Sequence, residues 1–230
     1  MPLPRRLLAE FLGTCVLLAT VVGSGIMGVA MSGGNDGIAL LANATATAGI
    51  LYVLIAVLGP VSGAHFNPAV SLALRLRGEL GTREALAYVA VQLVAAVCGV
   101  LLAHAMFGQP LLQPGIHARS GAAQWLSEGV ATAGLLLTIL LGARARPAAM
   151  PALVASYIFA AYWFTASTSF ANPAVTLARS ASDTFAGVRP ADVPGFVVAQ
   201  LLGAAAATSL FRWLVPGLPA AAPDVVVPRR

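Results

Sequence analysis

Six stretches of this chain run for about 20 residues with almost no charge, the length a helix needs to cross the roughly 30 Å hydrocarbon core of a bilayer. Apolar windows place them at about 7–30, 39–59, 85–106, 124–143, 148–166 and 193–214. Inside lipid every backbone N–H and C=O must be paired within the chain, so these segments are predicted to be helices. Composition agrees: of 230 residues, 59% are hydrophobic and 9% charged, against about 25% charged in a soluble domain. Mean hydropathy is +0.87. The chain is read as an all-α membrane protein forming a single domain over residues 1–230. Its start, "MPLPRRLLAEFLGTCVLLATVVGSG", has the basic and apolar parts of a signal peptide. The apolar part is span-length, carries Glu10 and leads into five further spans, so it is expected to stay as the first helix.

The thirteen basic residues are all Arg. They sit at span ends and not in one patch, which makes them topology determinants and excludes a nucleic-acid surface. Six spans put both termini on one side, where Arg5, Arg6, Arg75, Arg77, Arg83, Arg144, Arg146, Arg229 and Arg230 also fall. That side is expected to be cytoplasmic, in a multi-pass protein of the cell's inner (plasma) membrane. Asp36, Arg119, Arg179, Asp183, Arg189 and Asp192 remain on the other side, with residues 107–121 as an external loop. The Pro- and Ala-rich tail, 216–230, is expected to be disordered. Cys15 and Cys98 fall inside apolar spans and read as packing residues. His104 reads as an interfacial residue and His117 as a loop residue. No metal-ligand spacing, phosphate loop or nucleophile–base pair is visible, so no metal, no cofactor and no enzymatic activity is expected.

The chain repeats itself. "AEFLGT" (9–14) is echoed by "SEGVAT" (127–132), and "VQLVAA" (91–96) by "AQLLGA" (199–204). Glu10 thus aligns with Glu128 and Gln92 with Gln200. "HFNPAVSLALRL" and "FANPAVTLARSA" align Asn67 with Asn172. The halves, about 5–106 and 122–215, hold three spans each. An odd number means that the second half lies upside down relative to the first, an inverted 3+3 repeat.

The stretch "GPVSGAHFNPAVSLAL" has no charge, yet lies between spans. A re-entrant segment fits, entering as coil and leaving as a half-helix. Asn67 is the expected N-cap, and Pro68 takes the first helical position, where a missing N–H costs nothing. A helix from Pro68 to Arg77 would be about 15 Å long, half the hydrocarbon core, so its N-terminus would sit near the midplane. Asn172 and Pro173 repeat this from the other side, with a helix to about Ser180. Two helix N-termini would then meet at the bilayer centre, with Ala69 and Ala174 small enough for the caps to abut. The Asn67 and Asn172 amides are expected to donate into a lumen beside them, and the carbonyls near Gly63 and Ser167 to line it. Such a path is hostile to cations and protons.

The paired Asn-Pro-Ala boxes, the paired Glu in spans one and four and "SGAHFNPAV" before the first box resemble the aquaporin (major intrinsic protein) family over about residues 5–215. The resemblance implies a homotetramer in the lipid bilayer with one pore per subunit, passing water or small neutral solutes without coupling to an ion gradient. Glu10 and Glu128 would accept hydrogen bonds from the re-entrant coils, with Gln92 and Gln200 assisting. A proton-coupled transporter would instead use the two carboxylates as its coupling site. His65, two residues before Asn67, is a candidate lining residue.

Water-selective members of that family have Arg directly after the second box. Val175 stands there. Counting family spacings, the other constriction positions become Thr47, Ala160 and Ser169, so all four are small. The filter is therefore expected to be wide enough for glycerol-like polyols and metalloid hydroxides such as arsenous acid. "SDTFAGVRPADVPGF" resembles a bacterial branch of the family associated with arsenite. Arg179, one turn beyond Val175, leaves two readings: an ion pair with Asp183, four residues on, or a lean toward the pore that rebuilds a water filter.

Overall fold

The computed structural model describes residues 1–215, so the tail expected to be disordered lies outside the described residues. Eight α-helices follow in order: α1 Leu3–Met31, α2 Asp36–Ser62, α3 Pro68–Leu76, α4 Thr82–Met106, α5 Ala122–Ala145, α6 Met150–Phe164, α7 Pro173–Arg179 and α8 Val193–Leu214. One-turn 3₁₀ segments, Pro147–Ala149 and Pro190–Asp192, lead into α6 and α8. The described residues contain no strand. Six helices are long and apolar enough to cross a membrane, and α3 and α7 are the two short ones between them.

In the first half α1 packs against α2 and α4; in the second α5 packs against α6 and α8, and α2 joins the halves by lying along α6. The closest crossings depend on glycine. A Cβ on Gly99 would come 2.3 Å from the Cys15 carbonyl oxygen, and one on Gly203 the same distance from the Gly129 carbonyl oxygen. These two contacts, α4 on α1 and α8 on α5, are equivalent in the two halves. They let main chains touch, which is where helix packing in lipid gains its dispersion energy. Gly99→Ala should therefore cost about 1–3 kcal/mol, since the obstruction is backbone and cannot swing aside. Gly49→Ala, where the new methyl meets nothing within 4 Å, should be neutral or slightly stabilising. Thermal unfolding in detergent measures both.

Many polar side chains buried between helices bond to specific partners. Asn43 Nδ2 on α2 donates to the Val21 carbonyl (2.8 Å) and to Ser24 Oγ (2.9 Å) on α1. Arg6 is 5% exposed, and donates to Tyr88 Oη (2.8 Å) and Glu84 (3.0 Å), while Tyr88 donates to the Ser62 carbonyl (2.8 Å). The arginine that reads as a surface topology marker is thus also a buried tie between α1, α2 and α4. His104 differs from expectation as well: it is fully buried, with Nδ1 2.8 Å from the Leu111 carbonyl oxygen and Nε2 2.8 Å from Ser182 Oγ. Cys15 and Cys98 are free thiols. The 107–121 connection folds onto the segment after α7: Gly115 N–H donates to Ser180 (2.9 Å), Arg189 N–H to His117 (2.8 Å) and Arg119 N–H to Asp192 (2.7 Å).

Candidate transport pathway

The two half-helices meet cap to cap. Asn67 and Asn172 have extended backbones and each uses Oδ1 to cap its own helix, accepting from Ala69 N–H (2.9 Å) and from Ala174 N–H (2.9 Å). Each Nδ2 reaches across the junction: Asn67 donates to the Ala171 carbonyl and Asn172 to the Phe66 carbonyl, both at 2.8 Å. A primary amide has two N–H groups, so one per Asn is left for the space beside it. Ala69 and Ala174 are fully buried behind them, and Pro68 and Pro173 open the helices.

The coils leading into the caps are held in unusual conformations. Ala64 (φ 50°) and Phe66 (φ 48°) in the first coil match Ser169 (φ 51°) and Ala171 (φ 49°) in the second, in the left-handed region that side chains disfavour. Each such residue costs on the order of 1–3 kcal/mol and needs outside support. Two buried carboxylates supply it. Glu10 accepts from Ser62 Oγ (2.7 Å), His65 N–H (3.0 Å), Phe66 N–H (2.8 Å) and Gln92 Nε2 (2.8 Å). Glu128 accepts from Phe170 N–H (2.9 Å), Ala171 N–H (2.9 Å) and Gln200 Nε2 (2.6 Å). The glutamines bind on to the half-helices, Gln92 to Ser71 Oγ (3.1 Å) and Gln200 to Thr176 Oγ1 (2.8 Å). Hydrogen bonds to a charged acceptor contribute about 1.5–3 kcal/mol each, enough to offset that strain.

Beside this junction lies a cavity of about 500 Å³. It extends from Pro147, Ala148 and Met150 at one end, past Asn67 and Asn172, to Thr47, Tyr162 and Arg179 at the other. One wall is main chain of the coils, at Gly63–Phe66 and Ser169–Ala171, and the opposite wall is apolar, with Leu17, Val21, Leu51, Leu135, Ile139 and Ile158. His65 also faces the cavity, its Nδ1 3.0 Å from Ser71 Oγ and its ring 5.0 Å from that of Tyr88.

At the far end the structure corrects the sequence reading at one position and decides between two readings at another. Ala160 is exposed on the outside of α6 and does not reach the cavity; Tyr162 does, with its hydroxyl 3.2 Å from Thr47 Oγ1. Two residues along a helix turn about 200°, so a spacing off by two selects the opposite face. Thr47, Tyr162, Ser169 and Val175 all line the cavity, so the side chains there are not all small. Second, Arg179 does not pair with Asp183, which instead accepts from Ile116 N–H at 3.4 Å. Helix α7 ends at Arg179, so Asp183 is not one helical turn further on. Arg179 Nε donates to the Ala186 carbonyl, its guanidinium lies 3.4 Å from the centroid of the Phe170 ring, and it borders the cavity. Ser167 itself is fully buried, its Oγ accepting from Ser169 N–H (3.3 Å), and the coil borders the cavity from Ser169 onward. Arg119, which sequence reasoning left as a loop charge, sits 5.3 Å from the same Phe170 ring. Burial draws its guanidinium below the ordinary arginine range, with the Glu128 and Tyr162 charges opposing.

Six spans, two half-helices capped against each other by asparagine and a cavity running past the caps define a multi-pass membrane channel of inverted-repeat architecture. The chain belongs to the major intrinsic protein family: the family model described as "Major intrinsic protein" matches residues 1–165. Proteins of that family are channels, not enzymes. The chain is 58% identical over 213 residues to "Aquaglyceroporin AqpS" of Rhizobium meliloti (strain 1021), covering 93% of this chain and 91% of that one. It is 32% identical over 138 residues to "Probable aquaporin PIP2-8" of Arabidopsis thaliana, covering 60% of this chain and 48% of that one. Among solved structures, the X-ray structure of the aquaglyceroporin from Plasmodium falciparum shares the fold, with a TM-score of 0.71 at 18% identity over 91% of this chain and 96% of that one.

Proposed function

We propose that the protein is a passive channel for small uncharged solutes of the size of water and glycerol, with neutral metalloid hydroxides such as arsenous acid in the same class. The observation that carries this reading is the cavity beside the two asparagine caps, which Val175 lines at the position where water-selective relatives carry Arg. A polyol passes by exchanging water's hydrogen bonds for those of the free Asn67 and Asn172 amide N–H groups and the coil carbonyls, while its carbon face slides along the apolar wall. A cation meets two helix N-termini and amide donors and cannot shed its hydration there. The similarity to a protein named an aquaglyceroporin supports the solute class. The working form is proposed to be a homotetramer in the plasma membrane with both termini cytoplasmic, in keeping with the arginine distribution. Exposed apolar side chains such as Leu8, Leu12, Val94 and Leu202 would face lipid or a neighbouring subunit.

A second reading is favoured by one observation, the position of Arg179 on the cavity: a filter rebuilt one turn outward that admits water and little else. Reconstituted into liposomes, the protein should take up glycerol at a rate linear in its gradient and indifferent to imposed proton or sodium gradients. Uptake against a gradient driven by either ion would replace the channel with a transporter that uses Glu10 and Glu128. Water flux without glycerol flux would select the rebuilt filter.

A further inference from the structure

Arg179 is 2% exposed and carries a charge that no carboxylate neutralises. The ion pairs among the described residues are Arg6–Glu84, Arg77–Glu79 and Arg189–Asp192. Arg119, beside the same Phe170 ring, is likewise without one. The carboxylates nearby are committed elsewhere. Glu128 holds the Phe170 and Ala171 N–H groups and Gln200, Asp192 holds Arg189 and the Arg119 N–H, and Asp183 faces Ile116 N–H. Two guanidinium groups therefore share one ring at the end of a low-dielectric cavity, an arrangement that costs energy until a counter-charge arrives.

The geometry also defines what could supply that charge. Arg179 spends Nε on the Ala186 carbonyl and one face on Phe170. Its two terminal nitrogens have no protein acceptor among the described residues and are not sealed by packing, so they open on the cavity. The free edge of a guanidinium presents two parallel N–H groups, which match two oxygens of one planar acceptor and match a spherical halide poorly. Thr47, Tyr162 and Val175 line the same cavity, so a partner has to fit among them.

We propose that this end of the cavity is a binding site for a small monovalent oxyanion of carboxylate geometry, held end-on by Arg179, and that the bound anion blocks entry of neutral solutes. Arg119 strengthens the site through its field without touching the ligand. The block rests on the channel reading above; the binding does not.

Sodium formate is the probe, at pH 7.5 where it is ionised, with sodium chloride at equal ionic strength as control. Saturation-transfer NMR on the full chain in detergent micelles should show saturable formate binding that chloride displaces weakly. Arg179→Gln should abolish it. Arg179→Lys, which keeps the charge and loses the paired donors, should weaken it about tenfold, and Arg119→Gln should weaken it by a smaller factor. In liposomes, saturating external formate should slow glycerol entry at least about threefold in the natural protein and leave Arg179→Gln unaffected. Formate binding without glycerol flux would leave the site standing and remove the glycerol reading above. Glycerol flux with no saturable formate binding, or binding that survives Arg179→Gln, or equal block by chloride, would each overturn the site.

Discussion

Glu10→Ala is expected to leave little folded protein, and Glu128→Ala nearly as little. Removing Glu10 takes the acceptor from the Ser62 hydroxyl, the His65 and Phe66 N–H groups and one N–H of the Gln92 amide together. A buried donor without a partner costs about 1–3 kcal/mol, so four of them put the loss at about 4 kcal/mol or more, comparable to the whole stability of many domains. No water in the bilayer core can substitute. Glu10→Gln should do almost as badly: the neutral amide offers one acceptor oxygen and turns a donor toward groups that themselves donate. The check is monodisperse yield from membranes and, where protein survives, its unfolding temperature. Near-normal yield and stability for Glu10→Ala would mean that the coil conformations are held by something other than this carboxylate.

The second large effect is on solute size. Val175 borders the cavity and lies one helical turn inside Arg179. Val175→Arg adds a long cationic side chain to a space already bounded by Tyr162, Thr47 and a guanidinium, so glycerol flux should fall by about tenfold or more and water flux much less. Arg179→Ala should act in the opposite sense, widening the mouth and admitting linear polyols longer than glycerol. Stopped-flow light scattering on liposomes with a series of polyols reads both. An unchanged size limit in Arg179→Ala would place its side chain outside the solute path. Unhindered glycerol in Val175→Arg would show that the narrowest point lies elsewhere.

Much of this architecture could be read from the residues because its devices are local. An Asn-Pro pair at the head of an apolar run specifies a capped helix start wherever it occurs, and finding it twice, in halves of three spans, dictates the inversion. Glu10 and Glu128 stood out because a carboxylate in a span has no neutral explanation, and their four- and three-fold acceptor roles follow from the coils they face. Tyr162 was hidden for the opposite reason. Helix α6 is apolar on both its lipid and its inner face, so hydrophobic periodicity carries no phase and cannot say which residues look inward. Its one available signal was the hydroxyl of Tyr162, a polar group that a lipid-facing position would not favour. Of the two readings of Arg179, the ion pair with Asp183 fails because the four-residue rule presumes an unbroken helix, and α7 stops at that residue. The burial of His104 depends on residues 107–121 folding back over Ser182, a long-range arrangement that no local pattern encodes.

The exchange of amide hydrogen bonds between Asn67 and Ala171, and between Asn172 and Phe66, sets an order on biosynthesis. When the ribosome has delivered the first three spans, the Asn67 amide and the Phe66 carbonyl have no partner, because both partners belong to a coil more than a hundred codons downstream. The first re-entrant segment therefore cannot lock as it is made. It has to wait, at an interface or in a provisional pose, for the second to insert from the other side. Neither half is a finished module: each closes only by borrowing a carbonyl from its mirror partner.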